Sequence, residues 1–184
     1  MIFIFGCILN ANADIKRIVS GNKDAKITII AYESLTCSHC ANFHKDVYPQ
    51  LKKDYIDTGL AKIEFRHFPL DLAAFNASKI VQCKPDKSLE ILEKLYLNQQ
   101  SWVKGKTVDE INNNLKKFVQ NEGFKINFEK CINNKKIEDY ILNDRIEGAQ
   151  KFNINATPTI IINNKKFEKT LNYKNLKKLI EKMI

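Results

Sequence analysis

Residues 27–44 read ITIIAYESLTCSHCANFH, and the fold follows from how this stretch changes character. Ile27-Thr28-Ile29-Ile30-Ala31-Tyr32 is a compact β-branched run, the pattern of a strand buried on both faces. It leads into Thr36-Cys37-Ser38-His39-Cys40. Beyond, Cys40, Phe43, Val47, Leu51 and Tyr55 recur at spacings of three and four, one apolar stripe along a helix. Pro49 lacks a backbone N–H and predicts a kink in that helix. Gly59 predicts its C-cap.

Two cysteines at a strand-to-helix turn point to thiol chemistry. The turn brings both sulfurs within bonding range. Free N–H groups and the helix dipole at Cys37 favour negative charge there. The thiolate is the nucleophile, so a lower pKa raises its population and makes it a better leaving group. Each unit of depression favours the thiolate by about 1.4 kcal/mol. The reduced form gains that stability, and the protein becomes more oxidising. His39 can give a hydrogen bond or partial positive charge to the same sulfur. Cys40, one turn in on the apolar stripe, is the natural resolving thiol. The catalytic candidates are therefore Cys37, Cys40 and His39. Two alternatives stand beside this reading: a zinc site using Cys37, Cys40 and His44, and an inert structural disulfide. The zinc site lacks a second C-x-x-C or paired histidines to complete it.

Upstream, residues 14–26 are polar, with Ile15, Ile18 and Val19 as a short edge strand and Gly21-Asn22 as a turn. The first residues, MIFIFGCILNANA, read as a signal peptide over 1–13, cleaved after Ala13. They lack the usual Lys or Arg. A buried first strand, or lipid attachment at Cys7, are the alternatives. Export leaves Cys37, Cys40, Cys83 and Cys131, an even set with three pairings that sequence does not choose between. In an oxidising compartment Cys83 and Cys131 can persist as a structural bond.

Downstream, Ala61 to Phe68 alternates Ile63, Phe65 and His67 against Lys62, Glu64 and Arg66, a second strand stopped by Pro69. Helical patterning then covers Ala73–Cys83, Ser88–Asn98, Val108–Asn121, Phe128–Asn134 and Ile137–Phe152. Thr159 to Ile162 is a strand, Asn163-Asn164 a hairpin turn, and Lys165 to Glu168 the returning strand. A last helix runs from Tyr173 to Met183. A helical block inserted into a mixed sheet explains this order as one α/β domain with one insertion.

Size and charge agree. The 184 residues fit one domain, and no run of about 18 apolar residues suggests a spanning helix. The net charge is +9, but lysines are scattered among acids and Arg occurs only at 17, 66 and 145. That reads as a solvated surface, not a nucleic-acid face.

Three stretches carry a family resemblance: Ser34-Leu35-Thr36-Cys37-Ser38-His39-Cys40-Ala41-Asn42-Phe43-His44, Arg66-His67-Phe68-Pro69-Leu70-Asp71, and Ala156-Thr157-Pro158-Thr159. The chain resembles the DsbA family of bacterial periplasmic thiol-disulfide oxidoreductases, in its alphaproteobacterial branch, over Asp14 to Ile184. The resemblance implies a thioredoxin-like fold with an inserted α-helical domain: 14–72 and 153–184 the thioredoxin-like parts, 73–152 the insertion. It implies a cis bond at Pro158, opposite the cysteines, with the Thr157 backbone pairing an extended substrate; a trans, strand-starting proline is the alternative. It also implies a second, non-catalytic disulfide, Cys83–Cys131, contributing roughly 4 kcal/mol through loop-closure entropy; two separate thiols are the alternative.

The chain departs from the family at two places. Ser38 stands where members often have Pro, and Ala31 where many carry a buried acid that relays protons. Glu33, two residues on and on the same strand face, is the candidate relay; a solvent-facing Glu33 is the alternative. The expected activity is an oxidase in the periplasm. It donates the Cys37–Cys40 disulfide to reduced or misfolded exported proteins and is reoxidised by a DsbB-like, quinone-linked membrane partner. The redox-active disulfide is then the whole reactive group, without a separate cofactor or metal. A disulfide isomerase or reductase, and a non-catalytic chaperone or binding module, are the other readings. Residues 14–25 are too few for an oligomerising stalk, so a monomer is expected.

Overall fold

The computed structural model describes residues 15–184. The expected signal peptide, Cys7, the Ala13 cleavage point and Asp14 lie outside the described residues. The chain opens on β1 (Ile18–Gly21) and β2 (Ile27–Glu33). A broken helix follows, with α1 (Ser38–Asn42) and α2 (Tyr48–Leu51) separated and followed by π-helical turns over Phe43–Val47 and Lys52–Ile56. After β3 (Ala61–His67) come α3 (Leu72–Gln82), α4 (Ser88–Leu97), α5 (Gln99–Trp102), α6 (Val108–Asn121), α7 (Phe128–Ile132) and α8 (Lys135–Phe152). β4 (Thr159–Ile162), β5 (Lys165–Lys166) and α9 (Tyr173–Ile180) finish it.

The five strands form one mixed sheet in the order β1-β3-β2-β4-β5, with β1 and β5 at its edges. β2 and β3 run parallel, as a crossover through a helix requires, and put Ile29 beside Ile63. β4 returns antiparallel to β2, with Ile30 beside Ile161. Both faces of β2 are covered, as its unbroken apolar run predicts. One side joins a large core holding Ile29, Ile63, Phe43, Leu51, Leu95 and Trp102. The other packs Ile30 and Tyr32 with Phe68, Ile154 and Ile161. The larger core is continuous from the sheet into the helical block.

The proline does more than kink its helix. Tyr48 N–H reaches back five residues to Phe43 O, so the backbone widens into a π turn just before Pro49. That turn lets the helix pass a residue that has no N–H and crowds the preceding turn. The helix ends at Ile56, and Gly59 (φ +77°) closes the turn after it instead of capping it directly. Asn98 (φ −116°, ψ 24°) breaks α4, so the single turn α5 is an element that hydrophobic spacing does not signal. α8 starts earlier than expected because Asn134 Oδ1 accepts from Ile137 N at its N-cap. β5 is shorter than expected. α9 ends before Met183. Asn163 and Asn164 both take positive φ in the predicted hairpin turn.

Two of the three arginines serve the fold. Arg17 pairs with Asp144 and Glu64, and Arg66 with Glu64 (2.6 Å) and Glu147 (2.7 Å), tying β1 and β3 to α8. A disulfide joins Cys83, just after α3, to Cys131 in α7. No helix among the described residues is long and apolar enough to cross a membrane.

Candidate active site

Cys37 is the N-cap residue of α1, with extended backbone (φ −76°, ψ 118°). Its carbonyl accepts from Cys40 N (3.1 Å) and Ala41 N (3.2 Å), the first bonds of the helix. Its sulfur therefore lies at the N-terminal end of the helix, where the helix dipole favours negative charge. Cys37 is half-buried and Cys40 fully buried; both are thiols in this structure. The Cys37 thiol is lowered from near 9 to about 5. The largest cause is the hydrogen bond Cys40 gives its sulfur; partial burial opposes this, and Thr157 and the amides of Cys40 and His39 add to it. Burial pushes Cys40 strongly the other way, and its hydrogen bond to Cys37 and the nearby Glu33 add to the effect. One sulfur is made to ionise and the other to keep its proton.

His39 is exposed, and its backbone N–H is among the groups that lower the Cys37 pKa. His39 lines a groove of about 490 Å³ with Phe43, Val47, Thr157, Pro158 and Leu171. The Thr157–Pro158 peptide is cis, and Thr157 O lies 3.3 Å from Cys37 Sγ. The Thr157 hydroxyl is buried without a hydrogen-bond partner, a donor available to an ionised Cys37.

Glu33 is buried at the end of β2, only 3% exposed, and not turned to solvent. Its Oε2 lies 2.9 Å from His44 Nε2, while Glu33 Oε1 and His44 Nδ1 have no partner. Tyr96 of α4 stacks on the His44 ring at 4.2 Å. Burial raises the Glu33 pKa, His44 opposes it, and charge on Cys37 adds to the rise. His44 thus faces Glu33 instead of joining the two sulfurs. No three His, Cys, Asp or Glu side chains among the described residues gather as a metal-holding group.

Gln99, at the start of α5, is a site residue that sequence reading missed. Its Nε2 donates to Leu35 O (2.8 Å) and Cys37 O (3.0 Å). On the other side of the loop, Thr36 Oγ1 donates to Asp71 Oδ2 (2.6 Å), and Leu70 N to Ser34 Oγ (3.3 Å). The stretch carrying Asp71 was singled out from sequence, though not for this contact. For Gln99 no local signal exists.

A family model described as Thioredoxin matches residues 13–182. Disulfide bond formation protein D of Bacillus subtilis is 31% identical over 174 residues, 89% of this chain and 75% of that one. The solved structure of Wolbachia pipientis α-DsbA1 superposes with a TM-score of 0.81 at 31% identity, covering 91% of this chain and 90% of the other. The chain belongs to the thioredoxin family, in its DsbA-like branch. Its fold is the thioredoxin-like α/β fold expected from the sequence, and as a DsbA-like protein it is a thiol-disulfide oxidoreductase. A relative named as a protein-disulfide oxidoreductase in Rickettsia bellii is 32% identical over 79% of this chain, but the match spans only 56% of that longer protein. Oxidised BdbD of Bacillus subtilis superposes at a TM-score of 0.76 and 27% identity, covering 90% of this DsbA-like chain and 91% of the other.

Proposed function

We propose that this protein is an oxidase that donates a Cys37–Cys40 disulfide to exported proteins in the periplasm. The observation that carries the reading is the placement of the two sulfurs, Cys37 half-buried at the N-cap of α1 and Cys40 buried one turn in, which lowers the Cys37 pKa to about 5 and keeps Cys40 protonated. A stable Cys37 thiolate stabilises the reduced form, which makes the disulfide a strong oxidant. A substrate thiolate attacks Cys37 Sγ, the Cys37–Cys40 bond breaks, and Cys40 leaves and takes up a proton. A second substrate thiolate attacks the substrate sulfur of the mixed disulfide and releases Cys37 as its thiolate. Two electrons have then passed to the protein, and the substrate holds the disulfide.

Three sets of residues support these steps. Cys40 leaves into a dry pocket, so its proton must come from close by; Glu33, protonated more readily because it is buried, is the proposed donor. The cis Pro158 and Thr157 border the groove beside Cys37, where an extended substrate would lie with its backbone along Thr157. Cys83–Cys131 is the proposed structural disulfide. A quinone-linked membrane oxidase of the DsbB kind would restore the Cys37–Cys40 bond, and the protein would work as a monomer.

The test is the equilibrium of the Cys37–Cys40 couple with glutathione, together with the rates on two substrates. An oxidase gives an oxidising potential and forms disulfides in a reduced substrate faster than it repairs a scrambled one. The opposite order of rates assigns an isomerase or reductase. Activity that survives Cys37→Ser assigns a non-catalytic module.

A further inference from the structure

Gln99 lies 62 residues beyond Cys37, yet its buried side chain grips the loop that delivers the nucleophile. A primary amide nitrogen carries two hydrogens, and the geometry uses both, one to Leu35 O and one to Cys37 O. These carbonyls flank Thr36, whose hydroxyl is held from the opposite side by Asp71. The anchor behind Gln99 is firm: Trp102 of the same turn is fully buried and its Nε1 donates to Leu95 O at 2.9 Å. Cys37 has no side-chain cap of its own. Its extended backbone is fixed by neighbours, and its sulfur keeps its place at the start of α1, 3.3 Å from Thr157 O, only while that conformation persists.

We propose that Gln99 is a positioning residue for the redox reaction. By binding the Leu35 and Cys37 carbonyls together, it holds the Cys37 peptide so that the sulfur stays at the N-terminal end of α1, beside Thr157. The helical block thereby sets how readily Cys37 ionises without touching the sulfur. The requirement is specific in chemistry and length. Asn is one methylene short, and an ionised Glu would set oxygens against two carbonyl oxygens. The inference rests on Cys37 being the nucleophile.

Gln99→Leu keeps the volume and removes both donors. The expected result is a Cys37 that ionises about one pH unit higher by thiolate ultraviolet absorbance. Its equilibrium with glutathione shifts about tenfold toward the disulfide, about 30 mV for a two-electron couple. Gln99→Glu should shift both at least as far. Parent-like ionisation in either variant, with only a lowered unfolding midpoint, overturns the proposal and leaves Gln99 a packing residue. Should neither variant fold, hydrogen exchange at the Gln99 side-chain amide of the parent dithiol form decides: slow exchange supports the clamp, and exchange at the free-amide rate overturns it. The oxidase reading fails separately, in the parent protein's own exchange with glutathione.

Discussion

A proton leaves Cys37 more easily in the folded protein than in an unfolded chain, and stability must carry the difference. The folded value is about 5 against about 9 unfolded. The thiolate's contribution to the reduced form is therefore complete above pH 9, shrinks as pH falls, and is gone below 5. The oxidised form has no such group. The urea-unfolding stabilities of the two forms should thus converge between pH 9 and 5, by on the order of 3 kcal/mol once solvent screening of the half-buried sulfur is allowed for. A gap that stays constant with pH refutes this. Glu33→Gln keeps the hydrogen bond to His44 but cannot release a proton. Stopped-flow measurement of disulfide reduction should show the Cys40-release step slowed about tenfold or more. An unchanged rate removes Glu33 from the proton path. Cys37 and Cys40 were legible in sequence because their chemistry depends on a local turn. Gln99 was not, since its contacts join residues 62 and 64 positions apart. His39 was legible as a position between the cysteines, but its exposure was not, because helix geometry, not residue type, decides which way its side chain faces.

Elements reveal themselves where one period is unbroken. β3 alternates buried and half-buried residues through its whole length, and ends with His67 inside. There His67 is fully enclosed, 3.1 Å from Gln82 of α3, and burial lowers its pKa to about 3, with Arg17 adding a smaller push. An unfolded histidine binds its proton near 6.5, so the unfolded state gains protons first as pH falls. Folded stability should decline steadily from pH 6.5 towards 3. His67→Gln, which keeps a polar side chain of similar reach, should flatten that decline; an equally steep acid limb would assign the loss to other groups. The broken helix after Cys37 and the isolated turn α5 were less legible. A proline announces a disturbance but not its form, and Asn98 breaks α4 with a backbone conformation that no spacing of apolar residues encodes.

The molecule as a whole is closed by a covalent bond between positions 48 apart, Cys83 and Cys131. Replacing both with Ala should lower stability by about 2–4 kcal/mol, seen as an earlier denaturant midpoint, with a steeper slope because the uncrosslinked chain unfolds further. A loss under 1 kcal/mol would mean that the reduced, unfolded chain is already compact there. Strand order and the continuity of the core into the helices were outside the reach of sequence pattern, because parallel and antiparallel neighbours bury the same residues. The sheet's rim has a consequence of its own. One border strand is two lysines long, and the other has four residues and stops at Gly21. Borders this short offer little template for a stray backbone to extend. On the proposed function its clients would arrive unfolded and sticky, and such a rim would keep the protein from being recruited into their aggregates.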